Sequence, residues 1–209
     1  MKFEELIILL KSAESVEAID ARRDDIVELI PEIRIMFNFE QKNYAHQYDL
    51  WMHCLHTVVG LPRNMNDDML YLAALLHDIG KPDCQVTGKR EDDTNMHYYG
   101  HPRQSMEIVK DKIIPHLEDR GKSLSADEKR RLIYYVEYHD DRVSLRLKHL
   151  RRHLNIPVSL QEFQNLMLLQ VADALAHVQI PVVAQRVQIC KQLAGEYGVE
   201  LYERIQNGE

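Results

Sequence analysis

Glycine and proline are scarce in this chain, 8 and 7 of 209 residues, and strand-like alternation of apolar and polar residues is almost absent. Together these shortages argue against a β-rich or turn-rich fold and for helices. Cysteine is also sparse. Cys54, Cys84 and Cys190 lie far apart and without paired spacing, which argues against a disulfide frame or zinc ribbon and fits a reducing compartment. They read as ordinary small core or loop residues. No apolar run is long enough to span a bilayer, and the charged start from Lys2 to Glu5 carries no signal-peptide pattern, so a cytoplasmic protein without a membrane partner is expected. Positive charge is not in excess either. A formal net charge of −7 gives a surface that as a whole does not attract DNA or anionic lipid, so any phosphate-binding site must be a local feature. Internal repeats and low-complexity stretches are missing. What is present is 45% hydrophobic and 28% charged residues, enough for one compact all-α domain over 1–209 with a sizeable core. Eleven histidines are the compositional oddity.

The apolar spacing predicts a helix through Phe3, Leu6, Ile7 and Leu10 and a second from Ser15 towards Leu29, stopped by Pro31. From Pro31 to Tyr48 a short helix or turn gives way to a polar loop. Asp49 then caps a helix to Gly60, with Trp51, Leu55 and Val58 on one stripe and His53, His56 and Thr57 on another. Asn66 is read as the cap of the next helix, which runs to His77 and Asp78. Residues 81–100 are polar and aperiodic, the natural lid of a site. His101 and Pro102 open a helix with Met106, Val109 and Ile113 inward. The pairs Ser125 with Glu128 and Ser159 with Glu162 are capping boxes for two more helices; the first carries Leu132, Ile133 and Val136 inward and ends at Tyr138, His139, Asp140 and Asp141. An amphipathic helix is expected between Val143 and Leu154. The helix from Leu160 to His177 places Leu166, Leu169, Asp173 and His177 on one face. Pro181 opens a long helix through Leu193, and a polar tail with Leu201 and Ile205 closes the chain.

The most informative stretch is Leu72–Pro82, LAALLHDIGKP. A nearly continuous apolar run delivers His77 and Asp78 and stops at Gly80, which puts an imidazole and a carboxylate at a buried helix end. A buried carboxylate is costly unless it is hydrogen-bonded, paired or bound to a cation. Either the two residues cap one another, or they bind a metal ion. His53 and Asp173 are further polar residues on otherwise inner faces, with His101 and His139 at helix ends. Two imidazoles and two carboxylates from different helices make a mixed N/O set suited to a divalent ion, with coordination positions left open for water and substrate. Lys81, one turn on, either holds a substrate phosphate or is a solvated helix-end charge. His46, His56, His97 and His177 read as surface or supporting residues. Tyr98, Tyr99, Tyr134, Tyr135 and Tyr138 could stack a base, though packing is the commoner use of such tyrosines. The basic group Arg142, Arg146, Lys148, Arg151 and Arg152 reads as a solvated face, with steering of an RNA end as the lesser reading.

The ordered set of His53, His77-Asp78 and Asp173 resembles the HD superfamily of metal-dependent phosphohydrolases. The stretch from Ile30 to His53, the HDIGK run at 77–81, HYYGH at 97–101 and VEYHD at 136–140 are similar to the HD region appended to bacterial CCA-adding tRNA nucleotidyltransferases, over roughly 29–178. The glycine-rich loop and paired aspartates of the nucleotidyltransferase head are absent, so nucleotide addition is not implied. The resemblance implies an all-α HD-domain helical bundle with metal ligands His53, His77, Asp78 and Asp173. It implies catalytic or substrate-contacting roles for Asp78, Lys81, His101 and His139. In two-metal relatives the last two ligate a second ion; phosphate contact or protonation of the leaving group is the reading favoured here. The implied cofactor is a divalent ion (Mn, Ni, Co, Fe, Zn or Mg). The implied reaction is attack of metal-activated water on a phosphate mono- or diester of a small molecule, with a nucleotide favoured and an RNA 3′ end as a second candidate. The competing expectation is a noncatalytic nucleotide- or protein-binding helical module with a structural metal.

Overall fold

A computed structural model of the chain describes residues 1–90 and 93–209. Nearly all of the regular secondary structure among the described residues is helical. Helices α1 (Phe3–Ser12), α2 (Val16–Asp20) and α3 (Arg23–Leu29) precede a 3₁₀ segment at Pro31–Met36 and a loop. Helix α4 (Leu50–Gly60) and helix α5 (Asp68–Leu76) follow. A short antiparallel pair, β1 (Val86–Thr87) with β2 (Met96–His97), joins Val86 to His97 and Thr87 to Met96. Then come α6 (His101–Ile108), a π-helical turn at Val109–Ile113, α7 (Ile114–Asp119), α8 (Ala126–Tyr138), α9 (Leu147–Leu154), α10 (Leu160–Leu175), α11 (Pro181–Ala194) and α12 (Glu196–Gln206).

The bundle is organised around α5, whose residues Met69–Leu76 are all buried. A helix that is apolar on every side belongs in the centre, and α5 packs on α4 and α8. Each fully buried leucine there contributes about 1.5–3 kcal/mol of transfer free energy. Helix α10 packs against both α4 and α11, and α6 packs on α8. Trp51, Tyr71, Tyr135 and Phe163 are the largest side chains of the core. The bundle thereby brings the C-terminal end of α5, the middle of α4 and the last turn of α10 together.

Several elements depart from the expected pattern. The helix expected from Ser15 to Leu29 is two helices broken at Ala21–Arg22. None of the residues 20–25 is buried, so packing does not hold the turn helical, and the Asp20 carboxylate instead accepts from Trp51 Nε1 at 2.7 Å. The cap of α5 is Asp67, not Asn66. Asp67 turns its carboxylate away from the helix end and accepts from Arg131 Nη1 (2.8 Å), Tyr135 Oη (2.6 Å) and Asn165 Nδ2 (3.0 Å). The helix opened by His101 continues past Ile108 only through the π-helical turn, because Pro115 has no N–H for the regular bond and crowds the preceding turn. Val109 and Ile113 face inward as expected, but Met106 is only half-buried, and Ser105 and Ile108 are buried with them. In α8 Ile133 is half-buried, while Tyr134 and Tyr135 face the core. The amphipathic helix begins at Leu147 rather than Val143, and α10 stops at Leu175.

The polar tail with Leu201 and Ile205 is helix α12. Its Gly198 allows the backbone to approach α11: a Cβ there would lie 2.0 Å from the Leu193 carbonyl oxygen. Both capping boxes are formed, with Ser125 and Ser159 accepting from Glu128 N and Glu162 N. No helix among the described residues is long and apolar enough to cross a membrane.

Candidate metal centre

Asp78 is the hub of the site. Residues 77–81 leave α5 in tight turns, with Ile79 N to Leu76 O at 3.1 Å and Lys81 N to Asp78 O at 2.9 Å, and every residue from Leu72 to Lys81 is buried. The Asp78 carboxylate faces two groups. Its Oδ2 lies 3.3 Å from His53 Nε2 on α4 and 3.2 Å from His77 Nε2. Asp173 Oδ1, from the last turn of α10, stands 3.1 Å and 3.7 Å from the same two nitrogens. The other oxygen of Asp78, Oδ1, lies 3.0 Å from His101 Nε2 at the start of α6 and 3.3 Å from His139 Nε2 just past α8. One ligand atom from each of His53, His77, Asp78 and Asp173 falls within 4.8 Å of the others, and the same holds for Asp78, His101 and His139.

The rings are aimed by the backbone. Nδ1 of His77, His101 and His139 lies 2.8, 2.8 and 2.7 Å from the carbonyls of Ala74, Tyr98 and Val136. A carbonyl only accepts, so each Nδ1 carries hydrogen and turns Nε2 of its ring toward the centre. His101 Nε2 and His139 Nε2 are 3.2 Å apart. Buried His53 Nε2, His77 Nε2 and Asp78 Oδ1 make no properly aligned hydrogen bond. Acceptors that converge in this way repel one another unless a proton or a cation stands between them, and an N/O set of this kind fits a divalent ion.

The electrostatics agree with a cation-binding centre. Burial works to raise the Asp78 pKa, but Lys81, His77, His101 and His139 outweigh it and hold the carboxyl well below the usual carboxylate range. Burial is likewise outweighed at Asp173 by His177, His53 and His77. Burial pushes His46 down to about 2, helped by the charges of Lys81, His177 and His53. His139 is lowered, chiefly by burial, with His77 and His101 adding to the effect.

Lys81 is only 4% exposed, which removes the solvated-charge reading. Its Nζ donates to Asp78 Oδ2 at 2.7 Å and to Gln41 Oε1 at 2.8 Å, leaving one ammonium hydrogen for a ligand. Beside the centre opens a cavity of about 340 Å³ lined by, among others, Asp78, Lys81, His101, His139, Asp173 and Arg186. Strand β2 lines part of it and is tied to the loop before α4, through Met96 N to Lys42 O (2.9 Å) and Asn43 Nδ2 to Met96 O (3.0 Å). Residues 91 and 92 of the expected lid lie outside the described residues.

Among the remaining histidines, His46 and His177 stand beside His53, with ring centroids at 5.5 and 4.9 Å. His177 Nδ1 donates to the Asp173 carbonyl at 2.8 Å. His97 lines the cavity, and His56 stacks on Tyr48 instead. Sequence reasoning did not single out Gln41, the buried partner of Lys81, or Arg186. A third His/Asp group, Asp141, His149 and His153, is closed by its own neighbours: Arg152 pairs with Asp141, and Tyr134 Oη bonds His153 Nδ1 at 2.9 Å. Tyr134 and Tyr135 are core residues, and Tyr99 is 64% exposed. Arg142, Arg146, Lys148, Arg151 and Arg152 are all exposed, as a solvated face requires.

Residues 43–178, more than half of the chain, match the profile of the HD domain family. The chain belongs to that family. HD domains bind divalent metals and are generally metal-dependent hydrolases; His53, His77, Asp78 and Asp173 all lie inside the matched segment, whereas Gln41 and Arg186 lie outside it. No curated protein matches the chain.

Proposed function

We propose that this HD domain hydrolyses a phosphate mono- or diester of a nucleotide or an RNA terminus, with a divalent ion held by His53, His77, Asp78 and Asp173. The observation that carries the reading is the position of Asp78. One carboxylate oxygen faces the four-residue ligand group, and the other faces His101 and His139 at the wall of the cavity. An ion held there would lower the pKa of a water and polarise a phosphoryl oxygen. Asp78 orients the attacking water, since its second oxygen remains free of a properly aligned hydrogen bond. Lys81 offers its remaining donor to the phosphate. His101 and His139 stand where they can contact the phosphate or hand a proton to the leaving oxygen. Exposed Tyr99 lies parallel to His97 at the cavity, with centroids 5.3 Å apart and planes 4° apart, and its open face offers a stacking surface for a base.

The order of HD motifs supports kinship with the HD region of CCA-adding enzymes, and hence nucleoside monophosphates and 2′,3′-cyclic nucleotides as first substrates to try. A cytoplasmic location and a single domain over 1–209 belong to the same proposal. A purely structural ion is disfavoured because the ligand group borders an open cavity with a buried lysine beside it. The test is a hydrolysis panel of nucleoside monophosphates, 2′,3′-cyclic nucleotides and an aryl phosphate with Mn²⁺, Ni²⁺, Co²⁺ or Mg²⁺. Turnover that a chelator removes supports the proposal; bound metal with no turnover on any of these esters would favour the binding-module reading.

A further inference from the structure

Helix α11 follows the matched HD segment and folds back against α10, which carries Asp173. The contact sets one cationic side chain, Arg186, in the wall of the cavity beside Lys81, His101 and His139. Arg186 Nη1 donates to Asp140 Oδ1 at 2.8 Å, and Nη2 donates to the His139 carbonyl at 3.0 Å. A guanidinium has five donors in a rigid fork. Here the fork is fixed by two bonds, and each Nη keeps a second hydrogen for a ligand. Burial works against the charge, but Asp173 and Asp140 more than offset it and raise the Arg186 pKa further, so the group is a permanent cation. Fixing costs rotamer entropy, and this cost is already met before any ligand enters. Such a group is preorganised for a phosphate, whose oxygens the planar guanidinium fork can engage in pairs.

We infer that Arg186 is a second phosphate-binding residue of the site, supplied by the flanking helix α11 and working opposite Lys81. The inference rests on the reading of the cavity as a phosphate-ester site. Lys81 acts as a point charge, and Arg186 acts as a fork that fixes the rotation of the phosphoryl group while its bond to the His139 carbonyl keeps that ring in register. Asp140 competes with the ligand for the same guanidinium, so it sets how strongly the anion is held.

The experiment measures inorganic phosphate binding to the metal-loaded protein by titration calorimetry, alongside kcat and KM for an aryl phosphate, in wild type, Arg186→Gln, Arg186→Lys and Asp140→Asn. Loss of one charge-assisted contact weakens phosphate binding and raises KM about 10–100-fold in Arg186→Gln, with partial recovery in Arg186→Lys and tighter phosphate binding in Asp140→Asn. Circular dichroism and melting identify variants that have lost the fold, and for these Asp140→Asn remains the deciding case. Phosphate affinity unchanged in Arg186→Gln, or a fall in kcat with affinity and KM unmoved, would overturn the inference and assign Arg186 the structural task of tethering His139. Wild-type protein that neither binds phosphate nor turns over the ester would overturn it together with the functional reading on which it rests.

Discussion

Gly80 donates its backbone N–H to Ser105 Oγ at 2.9 Å, so the turn that follows the HD pair lies directly against α6 one turn after His101. A Cβ on residue 80 would meet Ser105 N at 2.5 Å and the Gln104 carbonyl carbon at 2.8 Å. Backbone cannot yield as a side-chain tip can. Gly80→Ala therefore pushes α6 outward, costs about 1–3 kcal/mol, and draws His101 away from Asp78. Thermal melting and ester turnover should both fall, and a variant with wild-type values in both would show that the close approach does not matter.

Asp67 holds the far side of the bundle. Its carboxylate takes bonds from Arg131, Tyr135 and Asn165 and is 5% exposed. Asp67→Ala leaves these donors without their acceptor and should cost about 3 kcal/mol, at the lower end of such losses because Arg131 Nε retains Asp127 at 2.9 Å. Urea unfolding measures this cost. Metal content of the folded fraction should not change, since none of these residues lines the cavity beside Asp78.

The fold was legible in sequence wherever local chemistry decided it. Ser125 with Glu128 and Ser159 with Glu162 start helices because both partners of each cap are in the sequence, and Leu72–Leu76 is apolar on all sides because it is buried on all sides. Where distant residues decide, local reading failed. Asp67 leaves its helix end for Arg131 and Tyr135, and Asp20 is taken by Trp51. The same division runs through the site. The four ligand candidates sit on inner faces that periodicity exposes. By contrast, Gln41 lies in an aperiodic loop and Arg186 on a largely exposed helix, so only the way α11 folds onto α10 brings Arg186 to the cavity.

His149 gives a pH dependence apart from the metal centre. Burial, with the charge of His153 adding, pushes its imidazole down to about 4. The unfolded chain then binds a proton from about pH 6.5 downward that the folded chain refuses until about pH 4, so stability falls with falling pH across that window. The loss approaches roughly 3 kcal/mol at its acid end. His149→Gln should flatten the difference, seen as wild-type and variant unfolding free energies that converge as pH drops from 7 to 4.5. Parallel curves would mean that His149 titrates normally.

The most direct test is the stoichiometry of divalent ion bound by wild-type protein and by Asp78→Ala, read by equilibrium dialysis with elemental analysis, with circular dichroism recorded on the same samples. Wild type should hold the ion until a chelator strips it, and Asp78→Ala should bind at least about 100-fold more weakly while keeping its helical spectrum. Wild-type affinity in Asp78→Ala, or no affinity in wild type for Mn²⁺, Ni²⁺, Co²⁺, Fe²⁺, Zn²⁺ or Mg²⁺, would contradict a metal centre built on Asp78.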